Sequence, residues 1–179
     1  MDERGRRFEK LVAPHLDAAF NLARWLTRDD HDAQDIVQDS ALRALRFLDG
    51  LRGDDARPWL LGIVRNSTWS WLQANRPSEL TAADEEGVPQ LPAPPRDEPE
   101  ASAIQRADAR LLNEAIAALP PPLREVIVLR ELEDLSYRQI AQIADIPIGT
   151  VMSRLARARK LLSQSVKVIE AAADRQGVR

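Results

Sequence analysis

The stretch from Pro77 to Gln105 constrains this chain more than any other. It holds six of the twelve prolines, seven acidic residues and one basic one, and its apolar residues follow neither helical nor strand spacing. Proline fixes φ and removes a backbone donor, while like charges repel. Such a stretch therefore buries too little apolar surface to offset the entropy of ordering itself. A flexible acidic linker is expected at 77–105, dividing the chain into domains at 1–76 and 106–179. The division also sorts charge: the first flank is neutral with 12 basic and 12 acidic residues, the linker carries −6, and the last flank +3. The overall charge of −3 thus conceals a basic C-terminal half. No acidic residue lies between Asp145 and Glu170, where Arg154, Arg157, Arg159, Lys160 and Lys167 fall. Such a surface suits phosphate.

In both flanks the apolar residues recur at helical spacing, and no strand pattern emerges. Phe8, Leu11, Val12, Leu16, Ala19, Leu22, Ala23 and Leu26 define one face of a first helix over 6–27. Asp29-Asp30-His31-Asp32 suits the start of a second helix running to Leu48, because these carboxylates accept from exposed N–H groups and complement the helix dipole. Its buried face is Ala33, Ile36, Val37, Ala41, Ala44, Leu45 and Leu48, which leaves Asp35, Gln38 and Asp39 on another side. Asp49–Arg57 reads as a turn-rich loop, and Pro58 fits the first turn of a third helix, packed through Leu60, Ile63, Val64, Ser67, Trp71 and Leu72. Beyond the linker, a helix through Leu111, Leu112 and Leu119 stops at three prolines, and a short helix follows to Leu132. Ser136 with Gln139 forms an S-x-x-Q capping box opening a two-turn helix. Asp145-Ile146-Pro147 breaks it, and a basic helix from Ile148 buries Val151, Leu155, Ala158 and Leu162. Short helix, tight turn, longer basic helix is the helix-turn-helix pattern. The expected fold class is all-α, with two small helical domains joined by the linker.

Several chemistries lack their residues. Cysteine is absent, so there is no disulfide framework, thiolate zinc site or cysteine nucleophile. His15 and His31 stand apart with no companion ligand at helical spacing, so no metal site and no cofactor are expected. Neither glycine-rich nucleotide-binding motif occurs, and no carboxylate sits beside a candidate nucleophile; no enzyme is expected. No run reaches the ~18 apolar residues of a membrane span, and the charged start lacks a signal-peptide core. A cytoplasmic protein with no stable membrane insertion, monomeric when free, is expected.

Two blocks bring a family into view. The stretch LPPPLREVIVLRELEDLSYRQIAQIADIPIGTVMSRLARARKLL strongly resembles the C-terminal domain of extracytoplasmic-function (ECF) sigma factors of the sigma-70 family, most specifically in IPIGTVMSRLARAR. DAQDIVQDSALRALRFL resembles that family's core-polymerase-binding helix, and RPWLLGIVRNSTWSWL its promoter-melting helix. The resemblance implies a sigma domain 2 at 1–76 and a sigma domain 4 at 106–179. It further implies an initiation factor for bacterial RNA polymerase core, meeting the β′ and β subunits and promoter DNA, and held by an anti-sigma factor.

On that resemblance, Asp35, Gln38 and Asp39 dock on the β′ clamp helices, where an acidic face meeting arginines gives orientation and on-rate. The minus-ten element falls to the loop, through Asp49, Arg52, Asp54 and Arg57, and to Arg65, Asn66 and Ser67 of the third helix. Aromatics mixed with Arg and Asn suit unstacked bases, although Trp59 and Trp71 read better as core. The minus-35 element falls to Met152, Ser153, Ala156 and Arg157. Met152 stands where the family often has a basic residue, so hydrogen-bond readout rests on Ser153 and Arg157, while Met152 and Ala156 can touch thymine methyls. Arg154, Arg159 and Lys160 suit phosphate, and Arg138 and Thr150 lie at helix N-termini that favour it. The alternatives are a stand-alone helix-turn-helix regulator, for which no dimerisation heptad follows Leu162, and a protein-binding helical adaptor, which leaves the basic stretch without a use.

Overall fold

A computed structural model describes residues 2–81 and 103–176, with side chains at 2–81 and 109–167. All regular structure among them is helical. The first helix is broken where one was expected. Helix α1 (Glu3–Leu11) ends before Pro14, a 3₁₀ turn spans Ala13–His15, and α2 (Leu16–Thr27) resumes the same apolar face. Pro14 lacks the N–H that an uninterrupted helix would spend on residue 10. Helix α2 ends where Arg28 adopts φ 57° and its N–H bonds Arg24 O at 2.8 Å.

Helix α3 (Asp30–Arg46) is capped by Asp29, which accepts from Asp32 N at 2.9 Å. That bond holds the Asp29 carboxyl below its ordinary range. Ala33, Ile36, Ala44 and Leu48 are buried as expected, and so is Ser40. The loop after α3 is tied down by Leu48 and Leu51. It closes two residues earlier than expected: Asp55 caps α4 (Ala56–Asn75), so Arg57 stands in the first helical turn beside Pro58. Leu60, Leu61, Val64 and Leu72 are buried, while Trp59 and Trp71 pack against the core at partial exposure.

Both ends of the segment expected as a linker, 77–105, are helical. Pro77–Thr81 forms α5, and Ala103–Ala118 forms α6. The remainder, residues 82–102, lies outside the described residues. Helix α7 (Pro121–Ile127) opens on proline, where a missing N–H costs nothing. It passes into a π-helical turn, Val128–Leu132, and the chain reverses at Asp134 with φ 51°. Helix α8 (Tyr137–Ala144) carries the full capping box: Gln139 N donates to Ser136 Oγ at 3.2 Å, and Ser136 N to Gln139 Oε1 at 2.9 Å. Asp145, with φ 54°, ends it, and α9 (Ile148–Gln176) begins three residues later.

Helices α2, α3 and α4 pack on one another around the first apolar centre; α6, α7, α8 and α9 surround the second. The halves also meet. Helix α7 lies on α2 and α8 lies on α4, and the buried apolar residues of both halves join into one cluster.

Candidate nucleic-acid interface

Helix α3 leaves Asp35, Gln38 and Asp39 on its exposed side, opposite the buried Ala33 and Ile36. Asp35 stands 3.7 Å from His31 Nε2, one turn earlier, with both side chains open to water. Leu42 and Phe47, both more than half exposed, continue this outer surface toward the helix end. The expected docking residues thus form one accessible face that combines acid with apolar area.

The residues expected at the minus-ten element divide. In the loop, Arg52 and Asp54 face solvent, whereas Asp49 is held by Arg4 and, at 3.6 Å, by Arg7 of α1. On α4, Asn66 is exposed and shares a groove of about 530 Å³ with Trp59, Ile63, Gln139 and Gln142. Ser67 Oγ is buried without a hydrogen-bond partner, so in this arrangement no base can reach it. Arg57 and Arg65 are engaged by the other half of the molecule.

That engagement centres on two carboxylates absent from the sequence-based set. Glu125 of α7, with no exposed surface, accepts Arg65 Nε at 2.6 Å and Trp69 Nε1 at 2.8 Å, and the Arg65 guanidinium lies 4.6 Å from the Trp69 ring centroid. Glu133, after the π turn, accepts Arg57 Nη2 at 2.6 Å and Asn21 Nδ2 at 2.7 Å. Arg124, buried, reaches the opposite way. Its Nη1 donates to Trp25 O and Leu26 O at 3.1 and 3.2 Å, at the C-terminal end of α2, and its Nη2 to Leu119 O at 2.7 Å. Burial pushes this guanidinium down to about 9, with the Arg28 charge adding to the effect. A cation at carbonyls exposed by a helix end is well placed. Arg28 bonds Glu79, and Arg76 donates to Thr27 O at 2.6 Å while covering the Trp71 ring, so α5 is fastened beside this seam. The sequence hint was local: Arg124 and Glu125 are the charges inside the otherwise apolar run Leu123–Leu129.

The helix-turn-helix presents its cations differently. Along α9, Met152, Ser153, Ala156, Arg157 and Lys160 are exposed, opposite the buried Val151, Leu155 and Ala158. Arg154 and Thr150 are partly exposed at its flank, and Arg138 is exposed near the start of α8. Ser153 Oγ donates back to Thr150 O at 3.1 Å, which turns its hydroxyl toward the helix N-terminus. Arg159 is paired with Glu131 at 2.7 Å, which raises its pKa. Among the described residues this face is basic and open to solvent, and a helix presenting such a face can enter a major groove.

A two-part helical protein ending in a solvent-facing recognition helix is a class of DNA-binding factor, and comparison with known proteins gives its family. Residues 11–77 match the model for sigma-70 region 2, and residues 109–162 that for sigma-70 region 4. The chain is 36% identical to the ECF RNA polymerase sigma-E factor of Haemophilus influenzae, over 82% of this chain and 79% of that one. It is 37% identical to the sigma-E factor of Escherichia coli K12, over 76% and 74%. Among solved structures it resembles the sigma factor RpoE of Bartonella quintana in complex with the anti-sigma factor NepR. The TM-score is 0.69 at 28% identity, covering 90% of this chain and 97% of that one. The chain belongs to the ECF group of sigma-70 RNA polymerase sigma factors, the subunits that direct core polymerase to promoters.

Proposed function

We propose that residues 1–81 act as the part that binds core polymerase and opens the minus-ten element, and that the part beginning in α6 reads the minus-35 element. Asp35, Gln38 and Asp39 contact the β′ clamp. Arg52, Asp54 and Asn66 meet the exposed strand, joined by Arg57 and Arg65 once these are free; Asp49 shapes the loop. Ser153 and Arg157 contact base edges, Met152 and Ala156 supply apolar contact, and Arg138, Thr150, Arg154 and Lys160 hold phosphates. Polymerisation is left to the polymerase, so the chain needs no catalytic group, metal or cofactor. It works in the cytoplasm as a monomer when free, under an anti-sigma factor. Two solved neighbours point to such control, the complex with NepR and that of CnrH with the cytosolic domain of CnrY.

The observation that carries this reading is the arrangement of two accessible faces, acidic on α3 and basic on α9, in the order the family requires. Transcription from a duplex promoter by purified core tests it. The wild-type chain should confer promoter-specific initiation, and Asp35→Lys/Asp39→Lys, still helical and monomeric, should lose core association on gel filtration. Retained association by the folded double variant would remove the docking assignment.

A further inference from the structure

The cations of α4 expected on the promoter strand are also the ones that close the molecule. Arg65 is spent on Glu125 and Arg57 on Glu133. A carboxylate bonded to a guanidinium offers the charge and geometry that a backbone phosphate would offer. Trp69 Nε1–H and the Asn21 amide, also bonded to these carboxylates, are donors of the kind that nucleic acid engages. The two acids come from α7 and the turn after the π-helical segment, 60 and 76 residues away from the arginines they hold. Their placement therefore reports the closed arrangement of the halves and not the local fold of either one.

We propose that Glu125 and Glu133 form an electrostatic latch: they occupy the phosphate-binding positions of α4, keep the halves together and deny that helix to single-stranded DNA until the latch opens. This rests on reading α4 as the strand-binding helix. Buried ion pairs fix geometry while adding little net stability, because both charges were desolvated to make them. On separation each recovers its hydration, so the ion pairs specify the closed state without themselves deeply favouring it, which is what a two-state device needs. Arg124, turned from α7 onto the α2 carbonyls, gives the same seam its register. Arg52, Asp54 and Asn66 stay outside the latch, so it covers the arginines of α4 and not the loop.

The absence of cysteine allows dyes at Gln73→Cys and Gln164→Cys, both exposed, in the full-length chain. The nearly isosteric Glu125→Gln/Glu133→Gln should change energy transfer in the direction of separation. It should also tighten binding of a fluorescent single-stranded oligonucleotide about tenfold, the gain when the open fraction rises from about one-tenth to nearly all. Unchanged transfer and affinity in that variant would overturn the proposal. Glu133→Arg should also open the chain, and the swap Arg57→Glu/Glu133→Arg should close it again, which a loss of folding could not do; failure of the swap to restore transfer would likewise overturn it. If the halves part and oligonucleotide binding does not tighten, the blocking role is refuted, and the fault lies with the assignment of α4 to the strand.

Discussion

Helices α4 and α9 carry the same chemistry and present it in opposite ways. Each has arginines on a face opposite an apolar one, but Arg157 and Lys160 stand in water, whereas Arg57 and Arg65 meet carboxylates of the other half. The difference lies in what the rest of the chain supplies. Between Asp145 and Glu170 the sequence has no acid; among the described residues of α9 only Arg159 reaches a carboxylate, Glu131 of the preceding segment. Helix α4 packs on α8, and its arginines meet Glu125 of α7 and Glu133 of the turn that precedes α8, both buried. A basic helix is thus an available site only when its surroundings leave its charges unmatched.

The comparison breaks most visibly if one arginine is removed from each helix. Arg65→Ala strands Glu125 as a buried unpaired charge, a penalty of about 3–5 kcal/mol. The molecule can relieve it by parting its halves, so solution scattering should show a larger radius of gyration at unchanged helical content. Arg157→Ala, on an open surface, should change stability by no more than about 0.5 kcal/mol and leave the radius alone. Equal behaviour of the two variants would mean that the α4 pairs are incidental.

Within α9 the expected effects are smaller and concern readout. Arg157→Ala should cost about 1–3 kcal/mol at one minus-35 base pair, whereas Lys160→Ala should weaken a library of promoters uniformly. Uniform loss from both would reduce Arg157 to a phosphate contact. The smallest effect belongs to the exposed Arg159–Glu131 pair, half open to water on both sides. Arg159→Ala should lower stability by at most about 1 kcal/mol in urea titration.

What the sequence disclosed follows the range of the interactions involved. Caps are local, so Asp29 and the Ser136–Gln139 box marked the starts of α3 and α8 correctly, and Pro58 does lie in the first turn of α4, although that helix starts two residues before it. The apolar faces of α3 and α9 were equally legible, and with them the exposure of Asp35, Asp39 and Arg157. The break at Pro14 was hidden because a single 3₁₀ turn carries the three- and four-residue spacing across it. Ser67 was legible in one respect only: its place in the packing face of α4 agrees with its buried hydroxyl, while its expected access to a base does not. The seam escaped for a different reason. Arg65 and Glu125 are 60 residues apart, Asn21 and Glu133 are 112 apart, and periodicity within a helix carries no information about such pairs.

The most direct test of the account is permanganate reactivity of minus-ten thymines on a duplex promoter, with the wild-type chain and with Asn66→Ala, each in the presence and absence of core polymerase. A chain whose α4 is closed when free and works as a polymerase subunit should make those thymines reactive only together with core. Asn66→Ala should lower that signal, and a template already open over the minus-ten element should recover transcript yield. Thymines made reactive by the chain alone would contradict the account, as would full melting activity in a folded Asn66→Ala holoenzyme.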